Sequence, residues 1–220
     1  MKGEHIVGVF IPLPSSVLKR TTAAKRWFGH KWRDIRTISD AHITLQFAKF
    51  PKTKKGFDLF VDDLRAHHLV APTVIFAGAK THKNNIDGGQ FFFLDIKKTE
   101  DLYALHKKVL AIAKPYQKGL IRKKDILRLK ENRFSKREIG YVKRYGYARV
   151  LQNFEPHISF GQVPSASIKE QRRMVNTLKQ KLGDTQKSRF VPPYLIVGLY
   201  GYDKGNYTGI IHEVRVRLRH

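Results

Sequence analysis

Two periodicities alternate along this chain. Continuous or alternating apolar runs predict strands at His5 to Pro12 (HIVGVFIP), Ala41 to Phe47 (AHITLQF), Thr73 to Thr81, Phe91 to Ile96 (FFFLDI), Pro156 to Phe160 (PHISF), Phe190 to Tyr202 and Tyr207 to Leu218. Between them, apolar positions three and four apart predict helices. Ser15 and Ser16 open one whose stripe is Val17, Leu18, Ala24, Trp27 and Phe28, with Gly29 as its stop. Phe60, Val61 and Leu64 share a face of a helix over Gly56 to Leu69. Thr99 opens another, with Glu100 and Asp101 in its first turn and Leu102, Leu105, Val109 and Ile112 as its stripe. Ser167 and Glu170 have capping-box spacing at the head of a helix whose stripe is Ile168, Val175, Leu178 and Leu182, and Gly183 ends that helix. Asn85 to Gly89 and Asp203 to Asn206 are turn sequences.

The order of elements repeats. A strand and a helix precede the strand at His42, and a helix, strand, turn and strand follow it; the same order surrounds His157. His42 stands 45 residues before Asp87 in one turn, and His157 stands 46 before Asp203 in the other. This predicts an α+β fold of two pseudo-symmetric lobes, each an antiparallel sheet with helices on its outer face, with a cleft between them. Residues 1–220 then form one bilobal domain. The second half carries about 30 extra residues before its motif, an insertion at about 114–149 that is basic and partly helical, since Ser135 and Glu138 form another capping box.

Charge changes the picture more than hydropathy does. Lys and Arg number 43 against 18 Asp and Glu, a formal net charge of +25. A surface of that sign attracts polyanions, nucleic acid above all. There is no cysteine, which removes disulfides, thiolate metal sites and a thiol nucleophile. No stretch approaches the roughly 18 apolar residues of a membrane span. The start of the chain has no apolar leader, so a cytoplasmic, monomeric protein is expected.

The candidate chemistry lies in His42-Ile43-Thr44-Leu45 and His157-Ile158-Ser159-Phe160. In a strand, residues two apart share a face, so each histidine projects beside a hydroxyl. An imidazole exchanges protons near neutral pH, and a hydroxyl donates to anionic oxygen. Two such pairs could grip one phosphate: one imidazole deprotonates the attacking oxygen, the other protonates the leaving oxygen, and Thr44 and Ser159 hold the oxygens where charge grows. The paired motifs in a repeated α+β chain resemble the 2H phosphoesterase superfamily, which includes 2'-5' RNA ligase-like proteins and RNA cyclic phosphodiesterases. The resemblance covers most of the chain outside the insertion. It implies hydrolysis of 2',3'-cyclic phosphate ends or 2'-5' linkages in RNA, and in some members ligation, with no cofactor or metal, through His42, Thr44, His157 and Ser159. Where several ligase-like members place an arginine shortly after the second motif, this chain has Gly161-Gln162-Val163.

The expected partner is RNA bearing a terminal or cyclic phosphate. Lys123, Lys124, Arg128, Arg133, Arg137, Lys143 and Arg144 of the insertion, with Tyr202 near the cleft, are the candidates for holding its strand by charge and stacking. Two rival readings share the fold: a basic RNA-binding module without turnover, and a cyclic phosphodiesterase for small nucleotides. His67-His68 lacks the spacing of a metal site and is expected in solvent, His212 is expected to be packed, and Asp87-Gly88-Gly89 precedes a strand and so is expected to be a turn, not a phosphate loop.

Overall fold

A computed structural model describes residues 5–31, 42–51, 53–86, 88–203 and 206–219, with the side chains of 29–31 and 201–209 outside that description. Among the described residues, eight strands and six α-helices follow in chain order: β1 (Ile6–Pro12), α1 (Ser15–Lys31), β2 (His42–Lys49), α2 (Lys54–Ala66), β3 (Val74–Lys83), β4 (Gln90–Ile96), α3 (Glu100–Gln117), α4 (Lys123–Lys130), α5 (Lys136–Tyr145), β5 (His157–Val163), α6 (Ile168–Leu182), β6 (Arg189–Phe190), β7 (Tyr194–Asp203) and β8 (Asn206–Arg217). They form two four-stranded antiparallel sheets, ordered β2-β1-β7-β8 and β5-β4-β3-β6. The α+β architecture of two pseudo-symmetric sheets is the one the sequence predicts.

The lobes do not coincide with the halves of the chain. The first sheet takes β1 and β2 from the first half and β7 and β8 from the second. The helices cross over as well. Helix α1 joins two strands of the first sheet yet packs on β5 and α6, while α3 joins two strands of the second sheet yet packs on β2 and α2. One continuous apolar core therefore serves both sheets, from Val7, Val9, Ile43 and Leu45 to Phe92, Leu94, Ile158 and Phe160. Strand residues that alternate with these face the other way and leave each sheet an open face.

Most predicted elements appear with shifted ends. The capping boxes of α5 and α6 form, with Ser135 and Ser167 accepting from the amides of Glu138 and Glu170. Gly183 caps α6 as expected, but α1 runs through Gly29 to Lys31. The single strand predicted over Phe190 to Tyr202 is two. Pro192 and Pro193, which lack amide donors and fix φ, separate β6, paired with β3, from β7, paired with β1. His212, expected to be packed, is exposed, its ring centroid 5.4 Å from that of Phe57. His67 and His68 are exposed as expected. Asp87 lies outside the described residues, while Gly88 and Gly89 have φ of 76° and 77°. A Cβ on Gly89 would stand 2.5 Å from the Val163 carbonyl, so this turn requires glycine.

Candidate active site

The motif strands β2 and β5 are the edges of their sheets and lie against each other. Their backbones are irregular at the same place. Opposite β2 the register steps from Gln46 to Thr44, leaving Leu45 as the extra residue. Opposite β5 it steps from Gly161 to Ser159, leaving Phe160. Each bulge thus falls on the apolar residue after the hydroxyl, and both of these residues are buried. The burial alternation along the first seven residues of the two strands is identical, with His42 and Thr44, and likewise His157 and Ser159, half-buried on the open face. Bulges re-aim side chains without ending a strand.

The open faces then differ. In the first sheet His42 stands opposite Pro12 and Thr44 opposite Phe10. The Phe10 ring sits 4.2 Å from the His42 ring. It lies back over Gly8, where a Cβ would come within 2.0 Å of it, so glycine is what lets this ring take its place. Ile6, Phe10 and Tyr200, with Phe47, Ile196 and Ile210 around them, make the rest of this face apolar.

In the second sheet His157 stands opposite Asp95, Ser159 opposite Phe93 and Gln162 opposite Phe91. The Phe91 and Phe93 rings stack on each other and present edges to His157 at 5.4 and 5.6 Å. Behind them on β3, His82 meets the same two rings at 5.5 and 5.1 Å. Lys80, two residues away on the same face, bonds Asp95 at 2.5 Å. His157 Nδ1 lies 2.7 Å from the Glu155 carbonyl. A carbonyl can only accept, so Nδ1 carries the proton and Nε2 is the nitrogen left for chemistry. Burial holds the His157 imidazole below its ordinary value; the Glu155 carbonyl and carboxylate oppose this, and the charges of His82 and Arg149 add to it. Burial likewise lowers His82. Gln162, in the region where several ligase-like proteins carry arginine, spends its amide on the β3–β4 turn, accepting from Asn84 at 3.1 Å and donating to the Gly88 carbonyl.

Two histidines that the sequence reading passed over have defined places. His82 is signalled only by its two-residue spacing from Lys80 on a strand. His106 is a polar residue within the apolar stripe of α3, which was the available clue. It is buried, stacked on Phe154 at 3.8 Å, and ties the two motif regions together. Its Nδ1 donates to the carbonyl of Leu45, the bulge residue of β2, at 2.8 Å. Its Nε2 accepts from the Leu151 amide at 2.9 Å, in the segment leading to β5. Burial lowers its pKa to about 4, fixing the neutral form that both bonds need.

The basic segment after α3 holds α4 and α5 around a small core of Phe134, Val142 and Ala148 that takes in Ile86 from the β3–β4 turn. It docks on β2 as well. Gln46 donates to the Tyr145 carbonyl at 3.2 Å, and the Arg122 guanidinium lies between the Phe47 and Tyr147 rings at 5.2 and 5.1 Å. The segment therefore bridges the open face of one sheet to a turn of the other. Among the predicted strand-holding residues, Lys123, Lys124, Arg133, Arg137, Lys143 and Arg144 are exposed. Arg128 pairs with Asp125, and Arg133 pairs with Glu131 and reaches the Ile86 carbonyl, so these two hold the segment itself. The Tyr202 side chain lies outside the described residues. Among the described residues, no group of three or more His, Asp or Glu is placed to hold a metal, and no helix is long and apolar enough to cross a membrane.

No protein-family model and no curated protein matches this sequence. The structure does match solved ones across nearly its whole length. TT0787 of Thermus thermophilus superposes with a TM-score of 0.54 at 12% identity, covering 98% of this chain and 100% of that one. E. coli LigT complexed with 3'-AMP gives 0.57 at 11% identity, covering 98% and 99%. A protein described as a phosphoesterase gives 0.55 at 10% identity, covering 97% and 99%. Together with the twin bulged motif strands, these matches identify the architecture: the chain has the 2H phosphoesterase fold.

Proposed function

We propose that the protein is a phosphodiesterase acting on RNA ends, which opens 2',3'-cyclic phosphates or cleaves 2'-5' linkages by two-histidine acid–base catalysis without a metal. The observation that carries this reading is the matched pair of edge strands. Each presents a half-buried imidazole and hydroxyl from the same side of the same bulge, and the two strands lie together. A neighbour of the same fold, E. coli LigT, binds 3'-AMP, and a net charge of +25 suits an RNA substrate.

The asymmetry of the two motifs supports a division of roles. His157 is held below its ordinary pKa with Nδ1 protonated, so it is neutral at pH 7 and its Nε2 is a general base. His42 is then the general acid. In hydrolysis of a cyclic phosphate, Nε2 of His157 takes a proton from water as the water oxygen bonds phosphorus. The phosphorus bond to one ribose oxygen breaks, and that oxygen takes the proton of His42. Thr44 and Ser159 donate to the non-bridging oxygens as their charge grows. The same sequence with the 5'-hydroxyl of a second RNA in place of water is ligation, and its reverse is cleavage of the linkage to a cyclic phosphate.

The test is incubation with RNA ending in a 2',3'-cyclic phosphate, with and without EDTA. Turnover to a single phosphomonoester, unaffected by chelation, is expected. Salt-sensitive binding with no product from any phosphodiester identifies a binding module instead. Loss of turnover on chelation removes the metal-free scheme.

A further inference from the structure

A cationic feature lies away from the motifs. A cavity of about 620 Å³ is lined by Arg65, His68, Arg215, Arg217, Leu218 and Arg219. It lies where the end of β8 runs beside the segment after α2: Arg219 donates its amide to the Leu69 carbonyl at 2.9 Å, and Ala71 donates to the Arg219 carbonyl at 2.8 Å. Arg65 is paired with Asp62 at 3.1 Å. Among the described residues, Arg215, Arg217 and Arg219 have no carboxylate partner, and Arg215 stacks on the Tyr194 ring at 4.9 Å. Three arginines at alternate positions of one edge strand repel one another. The planar guanidinium is the cation suited to bidentate contact with phosphate.

The register connects this cavity to the candidate active site. Thr44 stands opposite Phe10, Phe10 opposite Ile196, and Ile196 opposite Arg215. These four residues form one row across the open face of the first sheet, from the motif edge to the far edge. Three strand spacings make the row about 14 Å long. Between its ends the face is apolar: Ile6, Phe10 and Tyr200 are buried in it, and the half-buried Phe47, Ile196 and Ile210 are its accessible part.

We propose that this cavity is a second anion site that holds the phosphodiester backbone of an RNA strand whose terminal phosphate sits between the two motifs, the strand running over the first sheet past the half-buried Phe47, Ile196 and Ile210. The site rests on the reading of the motifs as an RNA-end site, but it is tested separately from it. An Arg215→Gln, Arg217→Gln double variant is compared with wild type by fluorescence anisotropy on a 5'-labelled oligonucleotide of about ten residues, and by turnover of that oligonucleotide and of a dinucleotide, both ending in a cyclic phosphate. The dinucleotide is too short to span the row. The expected result is a Kd for the oligonucleotide raised about tenfold or more, a salt slope reduced by roughly one or two, and unchanged turnover of the dinucleotide. Unchanged oligonucleotide affinity overturns the proposal. So does a loss confined to anionic phospholipid vesicles, which would assign the cavity to a membrane surface. If wild type turns over neither substrate, the catalytic reading fails while anisotropy still decides the anion site. An Arg217→Lys variant and thermal melting separate lost contact from lost fold: weakened binding in the double variant with an unchanged melting curve supports the site, and weakening that tracks a lowered Tm overturns it.

Discussion

The strands β2 and β5 share a backbone and differ in what surrounds it. Both carry a histidine and a hydroxyl ahead of a bulge. Across from the histidine stands Pro12 in one sheet and Asp95 in the other; across from the hydroxyl both sheets place a phenylalanine; one step further stand Gly8 and Phe91. The next strand supplies Ile196 and Gly198 on one side, Lys80 and His82 on the other. The repeated backbone brings two equivalent groups to one place, and the divergent neighbours make them chemically unequal. One face is apolar and packs its rings against its histidine. The other is polar and sets the protonation of its histidine.

The largest effect expected comes from removing either imidazole. His42→Ala and His157→Ala should each lower kcat by about 10²- to 10⁴-fold, the range for a lost general acid or base. The double variant should be far less than the product of the two, because the groups act on one transition state. Unequal roles should show in the pH profile: His157→Ala removes the limb on which activity rises with pH, and His42→Ala removes the limb on which it falls. Loss of the same limb in both variants breaks the assignment.

Much of this arrangement was legible in the sequence, and the reasons are physical. Period-two alternation around His42 and His157 is a local property, as are the serine–glutamate capping boxes, so strands, helices and motif placement followed from them. The pairing of sheets was not local. Nothing in the chain order says that β7 joins β1 instead of β3, and Pro192-Pro193 was the available signal that one apolar run is divided between two sheets. The site neighbours were hidden for the same reason. His82 meets His157 through Phe91 and Phe93, across three strands. His106 reaches Leu45 over 61 positions and Leu151 over 45.

His106 gives the next largest effect, on stability. Its folded-state pKa of about 4 lies below the ordinary 6.5, so the unfolded chain binds the extra proton between these values. The stabilisation is therefore complete above pH 6.5 and is lost as pH falls toward 4. The shift corresponds to something on the order of 3 kcal/mol. Urea unfolding followed from pH 7 to pH 4 should show this decline, and His106→Gln should flatten it while lowering stability at pH 7. An equal slope in the variant removes His106 as the tie between the two motif regions.

The matched phenylalanines separate the faces more finely. Phe10→Leu should lower kcat by roughly tenfold, because the buried Phe10 ring packs 4.2 Å from the His42 ring and holds it in place, and should leave the rising limb where it is. Phe93→Leu should change KM little and move the rising limb upward, because His157 loses some of the burial that holds it down. Steady-state kinetics across pH distinguishes the two, and identical behaviour would mean that the faces are equivalent after all.

The smallest effect concerns the charges around His157. His82 lowers its pKa and the Glu155 carboxylate raises it. His82→Gln should therefore displace the rising limb to higher pH, and Glu155→Gln should displace it to lower pH, since that variant keeps the backbone carbonyl that orients Nδ1. Both shifts should shrink in high salt, because they act through partly solvated charges, whereas the Phe93→Leu shift arises from burial and should not. Displacement in opposite directions, with that difference in salt response, ties the rising limb to His157 and not to His42. A limb that ignores both substitutions belongs to another group, and the division into base and acid would have to be reversed.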